Sequence, residues 1–261
     1  MKILFVGDIV GRPGRQIVAQ QLDAIRKEYG IDYVVANGEN AAGGRGITRD
    51  TANELYAAGV EVLTMGNHVW DNKDILRFID DEPRLVRPAN YPGDCPGRGY
   101  AIYSGPRGYR VLIINLSGRV YMNNLDCPFR TADEILRRTQ GQYDLALVDF
   151  HGEATSEKQA MGWYLDGRVT AVVGTHTHVQ TADERLLPNG TAFITDVGMS
   201  GPLDSILGVR VDQVLTRFMT QRPAPFEVAA GPVQLDAVCI ELDDTTLKPT
   251  GITRIRRQMV S

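Results

Sequence analysis

The chain has 261 residues, 43% of them hydrophobic and 23% charged, and a net charge of −4. That length suits one large domain or two small ones, with a sizeable core. The charge balance disfavours long nucleic acid, whose backbone is held by many lysines and arginines, and the RIRR near the C-terminus is too short a basic tract to change this. Cys95, Cys127 and Cys239 form no CxxC pair, which argues against a thiolate zinc site or a disulfide framework and for a reducing compartment, the cytoplasm. The apolar run in MKILFVGDIVG is too short for a signal peptide, and no run approaches the ~18–20 apolar residues a membrane span needs.

In chain order the pattern is strand, polar tip, helix, repeated. KILFVGD (2–8) is an apolar run ending in Asp8, and the stretch after it opens on Pro13 and closes on Gly30, the expected helix asymmetry. DYVVANGEN (32–40) ends in Glu39 and Asn40, and TRDTANELYAAG then reads as a helix. VEVLTMGNH (60–68) ends in Asn67 and His68, NKDILRFIDDE is helical, and RPANYPGDCPGRG is loop. AIYSGPRGYRVLIINL reads as a hairpin turning at Gly105–Gly108, and TADEILRRTQ as a helix. DLALVDFH (144–151) is a strand ending in His151, and SEKQAMGWYLDG is a helix with Ser156 as its cap. The apolar VTAVV leads into GTHTHVQ (174–180), and ERLLPNGTAFITD reads as a hairpin turning at Pro188–Gly190. VQLDAVCIELDD and LKPTGITRIRR alternate as antiparallel strands do. No repeat or linker breaks the chain, so a single α/β domain over 1–261 with a mixed sheet system is expected.

Five strands thus end in metal-binding residue types: Asp8, Glu39 with Asn40, Asn67 with His68, His151, and His176 with His178. Those positions hold all four histidines of the chain. In an extended segment His176 and His178 share a face, with Cα atoms about 6–7 Å apart, so both rings can enter one pocket. The plain alternative is ordinary turn chemistry, since Asp and Asn after a strand are commonly turn formers or caps. The joint pattern favours a site, because open α/β folds gather such residues outside the carboxyl ends of the strands. Imidazole, carboxylate and amide oxygen suit iron, manganese, cobalt or zinc, and the donors outnumber the needs of one ion. Two ions about 3.5–4 Å apart would use them. GDIVGRPG is neither GxGxxG nor GxxxxGK[ST]; Gly11 and Gly14 suit a tight strand-to-helix turn instead.

The order Asp, Glu-Asn, Gly-Asn-His, His, Gly-Thr-His-Thr-His resembles the calcineurin-like metallophosphoesterases. Val10 stands where that family carries a histidine two residues after the first Asp, and Glu39 where it carries a bridging Asp. Both departures, with GDIVGRPGR, GENAAGGRGIT, MGNHVWDN and DVGMSGP, match the bacterial YmdB-type subgroup of 2′,3′-cyclic-nucleotide phosphodiesterases. The resemblance implies a four-layer α/β/β/α sandwich with two mixed sheets. It implies one ion held by Asp8, Glu39, Asn40 and His178 and a second held by Glu39, Asn67, His151 and His176, iron or manganese foremost. A hydroxide between the ions would be the nucleophile and His68 the general acid for the leaving alkoxide; the alternative for His68 is to hold Asn67 in place. Arg12 and Arg45 lie on neighbouring loops and are either phosphate contacts or solvated side chains. The implied substrate is a small phosphodiester, with little preference among bases and with loops 117–130 and 198–208 around its alcohol portion. A phosphomonoesterase, a metal-bound regulatory protein with incidental turnover, and self-association of the chain stay open.

Overall fold

The computed structural model describes residues 1–259. Strand β1 (Lys2–Val6) shows how the layers arise. Its side chains alternate, so Leu4 and Val6 face helices while Ile3 and Phe5 face a second sheet. Parallel to β1 run β3 (Tyr33–Asn37), β4 (Val62–Thr64) and β5 (Leu85–Val86). On its other side β13 (Val233–Leu242) runs antiparallel, followed by β12 (Met199–Pro202) and the two-residue β2 (Asp8–Ile9), with β14 (Pro249–Met259) also paired to β13.

The second sheet has the order β10 (Arg185–Leu186), β11 (Ala192–Ile194), β9 (Ala171–Thr175), β8 (Leu145–His151), β7 (Arg110–Ser117) and β6 (Tyr100–Ser104). Its middle is parallel and its two outer pairs are antiparallel, the hairpins expected at Gly105–Gly108 and Pro188–Gly190. Helices α1 (Gly11–Tyr29) and α2 (Arg49–Ala57) cover the first sheet, burying Ile17, Leu22 and Leu55 against Leu4, Val34 and Ala36. Helices α3 (Pro128–Arg138) and α4 (Thr155–Leu165) cover the second, burying Ile135 and Met161 against Ile114 and Val148. Between the sheets Phe5, Val35 and Val238 meet Ile113, Leu147 and Val173. Three apolar cores therefore separate four layers, α/β/β/α with two mixed sheets, as the sequence resemblance implied.

Several elements differ from expectation. The helix expected over 72–82 is a single 3-10 turn, Lys73–Arg77, fixed by the Asn72 side chain accepting from the Asp74 amide at 3.1 Å. Ser156 is not a cap: α4 begins at Thr155 behind Ala154, because the chain turns immediately after β8 and the cap position falls before the serine. Strand β12 carries Gly201 and Pro202, residues that read against a strand interior. Helix α5 (Val211–Thr220) was not expected either; it buries only Val214, so its apolar residues do not define a core face.

Candidate metal centre

The parallel strands of both sheets run toward one edge, and the predicted residues meet there. From the first sheet come Asp8 on β2, Glu39 and Asn40 in the turn after β3, and Asn67 and His68 after β4. From the second come His151, the last residue of β8, and His176 and His178 just beyond β9. His151 Nε2 is the hub, 2.9 Å from Asn67 Oδ1, 3.0 Å from His176 Nδ1 and 3.0 Å from Glu39 Oε1. Donor atoms of Glu39, His151 and His176 all lie within 4.8 Å of one another. His178 Nε2 stands apart from that group, 3.8 Å from Asp8 Oδ1, and Asp8 Oδ2 accepts from the His176 amide at 3.2 Å.

The two histidines do not reach the site in the manner expected. The chain is not extended there: His176 has φ 97° and His178 φ 62°, left-handed values that cost a residue with a Cβ. Thr177 between them donates its amide and its hydroxyl to Asp196 Oδ2 at 3.1 and 2.6 Å, and buried Lys158 donates to the same oxygen at 2.6 Å. This buried ion pair fixes the turn that aims both rings inward.

Each imidazole of the second sheet is also held by its other nitrogen. His151 Nδ1 lies 2.9 Å from Thr175 Oγ1, which donates to Asp149 Oδ1 at 2.7 Å; this assigns a proton to Nδ1 and makes Nε2 the nitrogen that would give up its proton to meet a cation. His176 Nε2 lies 3.1 Å from the Glu153 carboxylate, and His178 Nδ1 donates to the Leu207 carbonyl at 3.1 Å. The first sheet shows the opposite condition. Asp8 Oδ1, Glu39 Oε1 and Asn40 Oδ1 are buried without a hydrogen-bond partner, Glu39 Oε1 being close to His151 but misaligned. The Asn40 amide nitrogen is spent on the Gly44 carbonyl at 3.1 Å, which leaves its oxygen free.

Burial raises the Asp8 carboxyl well above the usual range, and neighbouring Glu39 adds to the shift. Burial works against ionising Glu39 as well, but the charge and contact of His151 outweigh it and hold that carboxyl low. Burial likewise opposes charging His151, and Glu39 prevails, raising the imidazole to about 9. Burial and then the charge of His151 push His176 down to about 3, and burial lowers His178. Unpartnered buried acceptors are costly unless a cation meets them. A Cβ on Gly66 would fall 2.3 Å from both Glu39 Oε2 and His151 Nε2, so the motif glycine keeps a space between the two donors open. Nitrogen and oxygen donors with buried lone pairs around such a space fit transition-metal ions.

His68 lines the adjoining cavity, its amide donating to Glu39 Oε2 at 3.1 Å and its Nδ1 lying 2.8 Å from Asp71 Oδ2. Asp71, Glu153 and Thr175 were not singled out from sequence; the one local signal was an Asp three residues after His68. Arg45 lines the cavity, while Arg12 is exposed and outside the lining. Of the two loops expected around the alcohol, 198–208 contributes Leu207, and the lining among the described residues includes none of 117–130.

Two mixed sheets between helix layers, with this constellation at their shared edge, define the class of calcineurin-like phosphoesterases. The calcineurin-like phosphoesterase YfkN of Bacillus subtilis matches at a TM-score of 0.62 over 98% of this chain and 90% of that one, with 13% identity, a likeness of fold. The model of the YmdB-like protein family matches residues 4–255, and the chain belongs to that family. It is 50% identical over 255 residues to the 2′,3′-cyclic-nucleotide 2′-phosphodiesterase of Bacillus subtilis (strain 168), covering 98% of this chain and 96% of the relative. A hypothetical protein of Thermus thermophilus has a crystal structure with TM-score 0.93 and 42% identity, each chain 99% covered.

Proposed function

We propose that the chain hydrolyses 2′,3′-cyclic nucleotides with two transition-metal ions, iron or manganese foremost. The observation that carries this reading is the set of three buried, unpartnered oxygens facing three pinned imidazoles beside an open cavity. The activity named for the 50% identical relative supplies the substrate class. Asp8, Glu39, Asn40 and His178 would hold one ion and Glu39, Asn67, His151 and His176 the other, with Glu39 shared. Such ions, when bound, acidify water and neutralise charge on phosphoryl oxygens.

The residues of the chain supply the rest. His68 Nδ1 is engaged by Asp71, so its Nε2 is the nitrogen left for substrate. As water oxygen bonds to phosphorus and the bond from phosphorus to the 2′ oxygen breaks, His68 gives that oxygen a proton and the ring opens to a nucleoside 3′-phosphate. Arg45, which lines the cavity, would pair with a non-bridging oxygen. The −4 net charge suits a small substrate over a long polyanion. Three free cysteines suit the cytoplasm. No helix among the described residues is long and apolar enough to cross a membrane.

The test compares kcat/KM for 2′,3′-cyclic AMP, 3′,5′-cyclic AMP and 5′-AMP at matched metal loading. The first compound is expected to be best. If 5′-AMP leads, the chain is a phosphomonoesterase and the diester assignment falls.

A further inference from the structure

The cavity beside the metal centre has a volume of about 430 Å³, within the roughly 300–1,000 Å³ of small-molecule sites and larger than a phosphate group requires. Its lining holds two kinds of residue: the polar cluster with Arg45, and the apolar Val10, Leu207, Val209, Phe226 and Val228. Leu207 is 47% and Phe226 38% exposed, so two large apolar side chains that line a charged site also face water. Apolar surface concentrated there signals a ligand with an apolar face.

The apolar wall is built as firmly as the metal side. Val209 and Val228 are paired by an antiparallel bridge, with the Ala229 amide donating to the Gly208 carbonyl at 2.9 Å and the Arg210 amide to the Glu227 carbonyl at 3.0 Å. A Cβ on Gly208 would sit 2.6 Å from Val10 Cγ1, so only a glycine lets this segment close on Val10. The wall is also registered to the metal centre: Leu207 adopts φ 53°, and its carbonyl takes the hydrogen bond from His178 Nδ1. Val10 is itself two residues from Asp8, at the position where the wider family carries a histidine. Here that position extends the apolar wall. The Arg217 guanidinium stands over the Phe226 ring, 5.2 Å from its centre, and steadies it.

We propose that this wall is the nucleobase subsite, with Phe226 as its stacking platform. The inference rests on the cyclic-nucleotide reading and deepens it. With phosphorus at the metal centre, the ribose and base extend into the same cavity, where the base meets its aliphatic and aromatic side chains. Such a surface offers no hydrogen-bonding edge, and every base has a π face, so recognition follows stacking area and not base identity. Purines are therefore favoured over pyrimidines, which revises the expectation of little preference among bases.

The experiment measures kcat and KM of the metal-loaded full chain and its Phe226→Ala and Phe226→Tyr variants. The substrates are 2′,3′-cyclic AMP, 2′,3′-cyclic CMP and the base-free methyl riboside 2′,3′-cyclic phosphate. Phe226→Ala is expected to raise KM for cyclic AMP by roughly 5- to 150-fold, the range given by removing a stacked aromatic group. Metal content, kcat and turnover of the base-free compound should hold, and Phe226→Tyr should restore KM. If Phe226→Ala leaves KM for cyclic AMP unchanged, or lowers kcat/KM equally on the base-free compound, the subsite is refuted. If wild-type protein turns over the base-free compound as well as cyclic AMP, the subsite falls while the hydrolase reading stands. If it hydrolyses none of the three, both fall together.

Discussion

The first sheet brings oxygen atoms to the site and the second brings ring nitrogens. Asp8, Glu39, Asn40 and Asn67 lie in or just after strands of the first; His151, His176 and His178 lie at or just after the ends of strands of the second. The two sets are also supported differently. Each imidazole is tied through its second nitrogen, to Thr175, Glu153 or Leu207, whereas three of the oxygens have no partner. One side fixes direction and the other supplies uncompensated charge and lone pairs. A cation satisfies the second condition only where the first has already been arranged, so the seam between the sheets is where an ion gains most.

The contrast can be broken most severely at Glu39, whose Oε1 lies 3.0 Å from His151 Nε2 and whose Oε2 accepts from the His68 amide, and which would be shared by both proposed ions. Glu39→Ala is expected to take bound metal from about two ions per chain toward none, and activity with it. Elemental analysis that finds near-normal loading in the variant, or a single ion in wild type, defeats the shared-carboxylate reading. His68 is the imidazole that belongs to the first sheet, and it contacts the cluster through its amide alone. His68→Ala should keep its metal and lose about 10²–10⁴ in kcat on cyclic AMP, with a far smaller loss on a nitrophenyl ester whose leaving group needs little protonation. Equal losses on the two substrates would remove its general-acid role.

The smallest effects separate the two kinds of support. Thr175→Val deletes the partner of His151 Nδ1 and should weaken metal affinity by roughly 10- to 100-fold, read by competition with a chelator. Asp8→Asn removes a buried carboxylate whose Oδ1 has no partner. It should weaken metal binding too, yet raise the melting temperature of the metal-free protein by about 2–4 °C, the shift for ~1 kcal/mol at this chain length. A metal-free Asp8→Asn protein that melts below wild type would show that the oxygen side is not under the strain its missing partners imply.

Much of this site could be read in the sequence because its residue types are scarce and its positions regular. All four histidines fall at strand ends, and short apolar runs located those ends. What stayed hidden has physical reasons. Glu153 and Leu207 act through tertiary contacts with His176 and His178, which no local pattern announces. The HxH segment suggested an extended chain because spacing alone does not reveal that Asp196, eighteen residues beyond His178, binds Thr177 and turns the backbone left-handed. Strand β12 was masked by its glycine and proline, and α5 by leaving most of its apolar residues exposed. Val209, Phe226 and Val228 carried no signal in the sequence, and only the fold sets them with Val10 around one cavity.

The pair of Lys158 and Asp196 lies beneath the histidine turn, 1% and 0% exposed at their side chains, and it involves none of the proposed ligands. The scaffold under His176 and His178 therefore does not depend on the cargo above it. If the proposed ions bind above it, such a chain would behave as a socket, from which ions could be stripped and returned without the turn having to fold again. Protein made where metal is scarce would then persist as a dormant stock, ready to be switched on when the supply recovers.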